Sequence, residues 1–172
     1  MKKNAAILLI FALLASCQST PAGPSKADMT ANIESLEKEV GATGQPSPLK
    51  LDSLQHALVA YADAFPEDSS SVKKLAKAGE VARLDRQFEQ ALAIFDKIQK
   101  NYPNSREAAA ALFMKAFTLD NDLKKLDEAK TAYEAFLAKY PNDEFADDAQ
   151  FLLNNLGKSP EEIIKGFEKN AQ

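Results

Sequence analysis

The sequence is short of the residues that most often carry chemistry: it has one cysteine, Cys17, one histidine, His56, and no tryptophan. A single cysteine cannot form an intramolecular disulfide, so we expect the fold to be held together by burial of apolar side chains. The same counts exclude a zinc site built from several cysteine and histidine ligands. Without tryptophan, the chain also lacks the best side chain for stacking against sugars.

The catalytic arrangements that remain are few. A Ser-His-Asp or Cys-His set would need His56, which the sequence pattern places as an exposed residue in the middle of a helix. No glycine-rich phosphate loop is present. The acidic cluster of Asp143, Glu144, Asp147 and Asp148 lies at the start of a predicted helix, where carboxylates interact favourably with the helix dipole, and it lacks the glycine and the spaced ligands of a calcium loop. We therefore expect no enzyme activity, no metal and no cofactor.

Long apolar runs are also scarce, and the clearest one lies at residues 5–15, after the basic start Met-Lys-Lys-Asn. This order is typical of a secretory signal, and the run is shorter than the about 20 residues that a membrane-spanning helix needs. It ends in Leu14-Ala15-Ser16-Cys17, which resembles the bacterial lipobox. The resemblance implies that residues 1–16 are a cleaved signal peptide and that Cys17 becomes the lipid-modified first residue of the mature protein.

The segment that follows predicts a tether and a location. Residues 18–27 are mostly small and polar, so we interpret residues 17–30 as the lipidated cysteine with a flexible tether. Gln18 is not the aspartate that retains lipoproteins at the inner membrane in the best-known systems, and no acidic run follows within residues 19–25. By that resemblance, we expect a lipid anchor in the outer membrane, with the domain facing the periplasm.

The net charge of the chain limits the classes of partner that it can bind. Loss of Lys2 and Lys3 with the signal peptide leaves 19 basic side chains against 25 acidic ones, a net charge of −6. A chain this acidic is not expected to bind nucleic acid or anionic lipid.

Residues 31–47 predict a short helix and a loop. Ile33, Leu36 and Val40 recur at helical spacing among charged residues, so residues 31–40 form a helix candidate. These three positions favour one helix packed on the domain, with the seam of a coiled coil as the alternative. The glycine- and proline-containing segment 41–47 breaks the pattern and predicts a loop.

From residue 48 onward the pattern predicts helices joined by short turns, and a turn motif recurs. It consists of an aromatic residue, a proline and polar residues, at Pro66, Pro103 and Pro141, which are 37 and 38 residues apart. Proline cannot continue a helix, and the Asn, Asp and Ser residues after it are suited to cap the next helix. The spacing is in the range of helical solenoids.

The repeated units resemble the tetratricopeptide repeat. The first copy reads Leu75-x2-Ala78-Gly79-x2-Ala82, Ala91-x3-Phe95 and Pro103. The second reads Ala109-x2-Leu112-Phe113-x2-Ala116, Ala129-x3-Tyr133 and Pro141, with about four residues inserted near 119–123. A half-unit precedes them and a degraded copy follows. The resemblance implies an all-α, short solenoid of about three stacked antiparallel helix pairs over residues 48–172.

In that family the first helices of each pair line a concave groove. Carried over by position, the resemblance implies that Glu80, Arg83, Met114 and Phe117 face it. Exposed Met114 and Phe117 would suit an apolar peptide or helix. The favoured alternative for Phe117 is that it packs under the inserted turn at 119–123.

The combination of anchor and repeats is similar to the BamD-type lipoproteins of outer-membrane assembly and to the Tol–Pal-associated periplasmic repeat proteins. The resemblance implies a non-enzymatic, membrane-anchored scaffold that binds envelope proteins or peptides, with no small-molecule substrate. Two alternatives are an accessory or hydrolytic factor in cell-wall metabolism, and a self-associating envelope spacer with Ile33, Leu36 and Val40 as its seam.

Overall fold

Eight α-helices make up the part of the chain that the computed structural model describes, which comprises residues 23–42 and 44–170. They are α1 Lys26–Gly41, α2 Pro48–Ala64, α3 Ser71–Leu84, α4 Phe88–Asn101, α5 Arg106–Phe117, α6 Leu126–Lys139, α7 Ala146–Asn154 and α8 Pro160–Asn170. Within these residues no β-strand occurs. Consecutive helices from α1 to α7 pack against each other, and the short links make them antiparallel neighbours. The all-α prediction of stacked helix pairs is therefore confirmed.

The aromatic-proline motif ends α2, α4 and α6 as the sequence predicts. The aromatic residue at each end, Phe65, Tyr102 or Tyr140, donates its backbone N–H to the carbonyl four residues earlier. The polar residues after the proline then differ in role. Ser105 accepts the backbone N–H of Ala108 at 3.1 Å and caps α5. Asp68 and Asp143 instead accept the backbone N–H two residues ahead, that of Ser70 and that of Phe145, and form Asx-turns before the next helix.

Helix α1 begins at Lys26, five residues before the predicted start at 31. The reason is a capping box: Ser25 Oγ accepts the N–H of Asp28 at 3.2 Å, and an Asp28 carboxylate oxygen accepts the N–H of Ser25 at 3.1 Å. Residues 26–30 of the predicted tether at 17–30 are therefore helical. Residues 1–22 lie outside the described residues, and with them the predicted signal peptide and Cys17.

Helix α1 packs against α2 and lies beside α3. Ile33 is buried, and Leu36 and Val40 are partly buried against the same cluster. A salt bridge of 2.7 Å joins Glu37 on α1 to Lys77 on α3. The apolar face of α1 is thus used within the chain, as the packed-helix interpretation predicts, and the seam of the self-associating alternative is already covered.

The core divides into two hydrophobic clusters. The first joins α1 to α4 with one face of α5 and includes Leu54, Tyr61 and Phe95, and the second joins α5 to α7 and includes Tyr133 and Phe136. Full burial of a large apolar side chain stabilises a fold by about 1.5–3 kcal/mol, so the pairs hold one another through these rings. Met114 packs against both clusters and so joins the two halves.

The second helix pair differs from the first in two linked ways. Phe113 stands at the position that Gly79 has in the first pair, and its ring stacks on Phe145 at a centroid distance of 4.8 Å. Helix α5 is extended by a π-helical turn, Thr118–Asp122, in which the N–H of Leu123 binds the carbonyl of Thr118 at 3.0 Å. Leu119 in this turn is buried in the second cluster. The insertion predicted near 119–123 is confirmed as this π-turn.

Candidate functional site

Two adjoining cavities lie along one edge of the stack, where the first helix of each pair turns into the second. We call this the turn edge; it comprises the turns at 85–87, 123–125 and 155–159. The first cavity, of about 550 Å³, lies between the α3–α4 turn and the π-turn. The second, of about 560 Å³, lies between the π-turn, α7 and the start of α8. Asn121 lines both cavities, so they meet at the π-turn.

The floor of the first cavity is built by Arg83. Its Nε donates to a carboxylate oxygen of Asp122 at 2.6 Å, and its guanidinium lies over the ring of Phe117 at 5.0 Å. The two charged side chains are only 24% and 14% exposed. The charge of Arg83 is therefore satisfied inside the chain, and the contact ties α3 to the π-turn.

Two of the four residues predicted for the groove line a cavity, and the other two lie in packing contacts. Glu80 is exposed and, with Arg83, lines the first cavity. Met114 is partly buried between the two hydrophobic clusters and does not line either cavity. Phe117 is half-buried between Arg83 and Phe113, whose ring centroid lies 6.4 Å away, so it is a packing residue.

Two residues that the sequence analysis did not single out stand out by their backbone. Arg86 and Lys124, which are 38 positions apart, both adopt the left-handed conformation, with φ of 61° and 56°. For residues other than glycine this conformation costs about 1–2 kcal/mol. At Arg86 it is imposed by the end of α3, where the N–H of Gln87 binds the carbonyl of Ala82 at 2.8 Å and forms a Schellman motif. At Lys124 it follows the π-turn, where the N–H of Lys125 binds the carbonyl of Leu119 at 2.8 Å. The third turn places a glycine, Gly157, at φ 75°.

Both left-handed residues line the cavities, and each carries a positive charge. Arg86 lines the first cavity and Lys124 the second. Neither forms a salt bridge with any other residue that the structure describes. Burial raises the pKa of Asp120, which lies in the second cavity, and the nearby charge of Lys124 partly opposes that rise. The turn edge therefore presents cations that the fold itself does not neutralise by direct pairing.

Apolar side chains are exposed beside these cations. Leu84 lines the first cavity and is 64% exposed, while Leu126 and Phe151 line the second and are 38% and 43% exposed. A contiguous exposed apolar surface with a polar rim is typical of a protein interaction site.

The described residues offer little for other chemistry. His56 is exposed on α2, and its Nδ1 lies 2.9 Å from the carbonyl oxygen of Asp52 on the same helix. Glu144 of the acidic cluster is paired with Arg106 at 2.8 Å. Among residues 23–42 and 44–170 no group of three or more potential ligands could hold a metal ion. In the same part of the chain, none of the helices has the length and apolar character needed to cross a membrane.

A comparison with known protein families finds two matches along the chain. The family model of the tetratricopeptide repeat matches residues 75–105 and 110–143, which contain α3 with α4 and α5 with α6. No curated protein matches the chain. The chain therefore carries two tetratricopeptide repeats, flanked by α1–α2 and α7–α8. Such repeats indicate a scaffold for protein–protein interaction.

Proposed function

We propose that this chain, with its two tetratricopeptide repeats, is a membrane-anchored lipoprotein that acts as a non-enzymatic protein-binding scaffold in the bacterial cell envelope. The observation that carries the proposal is the turn edge, where two adjoining cavities expose Leu84, Leu126 and Phe151 beside charged side chains. Successive repeats present this edge side by side, so a single partner segment can contact both of them.

The proposed anchor rests on the lipobox-like end of the first apolar run. Lys26, the first residue of α1, follows Cys17 by nine positions, which span at most about 30 Å when extended. A lipid on Cys17 would therefore hold α1, and α2 packed against it, close to the bilayer. Two or more acyl chains anchor a protein stably, since each buried CH₂ contributes about 0.8 kcal/mol.

The finer assignment is a place in outer-membrane protein assembly, on the periplasmic side. It is supported by the similarity of anchor and repeats to the BamD-type and Tol–Pal-associated proteins, and by Gln18 after the cysteine. With two matched repeats, a small adaptor within a larger envelope complex is the role we assign. The partners are then envelope proteins, held where the lipid places the scaffold.

Site-specific photo-crosslinking in intact cells tests the scaffold. A photoreactive amino acid is placed at Leu84 or at Leu126, and the control carries it at Lys100, which is exposed on α4 at the end away from the turn edge. We expect the same envelope protein to be crosslinked from both cavity positions and not from Lys100. If the cavity positions give no product above the Lys100 control, the scaffold proposal is wrong.

A further inference from the structure

The two positively charged residues with left-handed backbone at the turn edge need a physical explanation. Arg86 and Lys124 hold the left-handed conformation that glycine adopts freely, although the equivalent turn at Gly157 shows that this fold accepts glycine there. Strained backbone of this kind concentrates at binding and catalytic sites. Stability alone therefore does not account for a long cationic side chain at both positions.

The contacts inside the chain do not account for them either. Arg83, one turn away, is fully engaged by Asp122 and Phe117. Arg86, by contrast, is exposed and forms no salt bridge with the residues that the structure describes, and Lys124 is likewise exposed. Their side chains are exposed to solvent at the rim of the cavities, where a ligand in either cavity could contact them.

The carboxylates at the same edge are placed differently. Asp122 is committed to Arg83, and Glu162 accepts the backbone N–H of Ser159 at 2.7 Å at the start of α8. Asp120 is partly buried beside Tyr133. Glu80 is an exposed carboxylate that lines the first cavity. Arg86 and Lys124 are thus the accessible cations at the rim, whereas Lys158 in the second cavity donates to the Asn154 carbonyl at 2.9 Å and to the Asn155 amide oxygen at 3.2 Å.

Each rim cation shares its cavity with an exposed apolar side chain. In the first cavity this is Leu84, with the partly buried Phe88 beside it, and in the second cavity there are Leu126 and Phe151. Because the two cavities meet at Asn121, the pattern of cation and apolar surface occurs twice along one continuous path.

We propose that the turn edge binds an extended segment of a partner protein in which acidic side chains flank large apolar ones. The apolar side chains enter the two cavities, and the carboxylates pair with Arg86 and Lys124 at the rim. This inference rests on the proposed scaffold function and names the chemistry of the segment that the scaffold binds. Charge pairs of this kind set partner choice and association rate, and they weaken with salt.

Peptide selection tests the inference on the full-length chain in detergent. Random peptides displayed on phage are selected on the immobilised wild-type protein, and the binding of the recovered peptides is measured by fluorescence anisotropy. We expect the selected peptides to be enriched in Asp and Glu next to Leu, Ile or Phe. We also expect their affinity to fall by about tenfold or more when salt is raised from about 0.05 M to about 0.5 M.

Two double variants decide whether the rim cations are responsible. R86G/K124G removes them, and K38A/K100A removes two exposed lysines elsewhere on the surface, so both variants have the same net charge. We expect R86G/K124G to bind the selected peptides about tenfold more weakly while unfolding at a higher urea concentration than wild type. The control variant should keep wild-type affinity.

Three results of these experiments would contradict the inference. Selected peptides without acidic enrichment, a selection that recovers no peptide, or equal binding by R86G/K124G would each overturn the inference. The crosslinking experiment separates this failure from failure of the scaffold itself. A partner that is crosslinked from Leu84 and Leu126 and is retained by R86G/K124G would leave the scaffold in place and remove only the acidic-segment chemistry.

Discussion

The ring of Phe95 on α4 lies directly on the backbone of Gly79 on α3. A Cβ atom at position 79 would come within 2.4 Å of Cε1 of Phe95. Phe95 is almost fully buried, so its ring has no free space into which it can turn. This contact sets how closely the two helices of the first repeat approach each other, and the second repeat, with Phe113 at the same position, is built around stacked aromatic rings instead.

Gly79→Ala is expected to destabilise the protein by up to about 2 kcal/mol, because the overpacking cost of about 1–3 kcal/mol exceeds the about 1 kcal/mol gained in helix propensity. Urea unfolding followed by circular dichroism measures the change. Gly166→Ala on α8 is the matched control, since a Cβ there meets nothing within 4 Å, and it should stabilise the protein slightly. A Gly79→Ala variant stabilised as much as Gly166→Ala would show that the close approach carries no energetic weight.

Glycine is expected to stabilise the protein at both left-handed turns. Arg86→Gly and Lys124→Gly relieve a backbone conformation that costs about 1–2 kcal/mol in other residues. Arg86→Ala and Lys124→Ala are the controls, because alanine removes the side chain but keeps the Cβ atom and its steric cost. The glycine variant should be more stable than its alanine counterpart by about 1 kcal/mol in urea unfolding. An alanine variant at least as stable as its glycine counterpart would contradict the strain.

Asp68 is expected to make stability depend on acid pH. The ammonium group of Lys26 and then the hydroxyl and backbone N–H of Ser70 hold the pKa of Asp68 well below its ordinary value of 3.8. Because the folded pKa is the lower one, this carboxylate stabilises the fold above about pH 4, and the contribution is lost as pH falls further through the folded pKa. Asp68→Asn should therefore be less stable than wild type at neutral pH, with the difference shrinking below about pH 4.

Urea unfolding over a pH series measures this effect. Glu67→Gln is the control, since it removes the same charge from an exposed position in the same turn. A stability difference between wild type and Asp68→Asn that stays constant from neutral pH to strongly acid pH would contradict the assigned role of the Lys26–Asp68 contact.

Cys17→Ser is expected to give a folded but mislocalised protein, because the proposed lipid is then absent while the repeats are unchanged. Fractionation with a high-salt wash, together with circular dichroism of the purified variant, measures both properties. Ser19→Ala, two residues further on, is the control and should remain in the membrane fraction. Recovery of Cys17→Ser in washed membranes, or its failure to fold, would contradict the lipid anchor.

Local signals in the sequence were enough to predict most of the helical framework. The aromatic-proline turns at Pro66, Pro103 and Pro141 end helices for reasons contained in a few residues, namely the missing N–H of proline and the polar side chains after it. The start of α1 was predicted too late because the Ser25–Asp28 capping box, although it is also local, was interpreted as part of a tether.

The binding surface could be predicted only in part. Repeat position predicted Glu80 and Arg83 for a concave groove. In the structure both line the first cavity at the turn edge, and their role in binding stays a prediction. For Met114 and Phe117 the position along α5 was not sufficient, because the π-turn and the two core clusters determine which side chains remain accessible. Arg86 and Lys124 left no sequence signal, since arginine and lysine rarely adopt positive φ.

By itself, then, the sequence determined the all-α repeat and the positions of its turns, because periodicity and proline act over short distances. The lipid anchor at Cys17, which the lipobox-like motif indicates, stays a prediction. The tertiary structure alone decided where the cavities lie and which charges face them. It pairs Arg83 with Asp122 across 39 positions of the chain and leaves Arg86 at the rim. The difference arises because charge pairing and surface exposure depend on how helices from different repeats pack, which no short segment encodes.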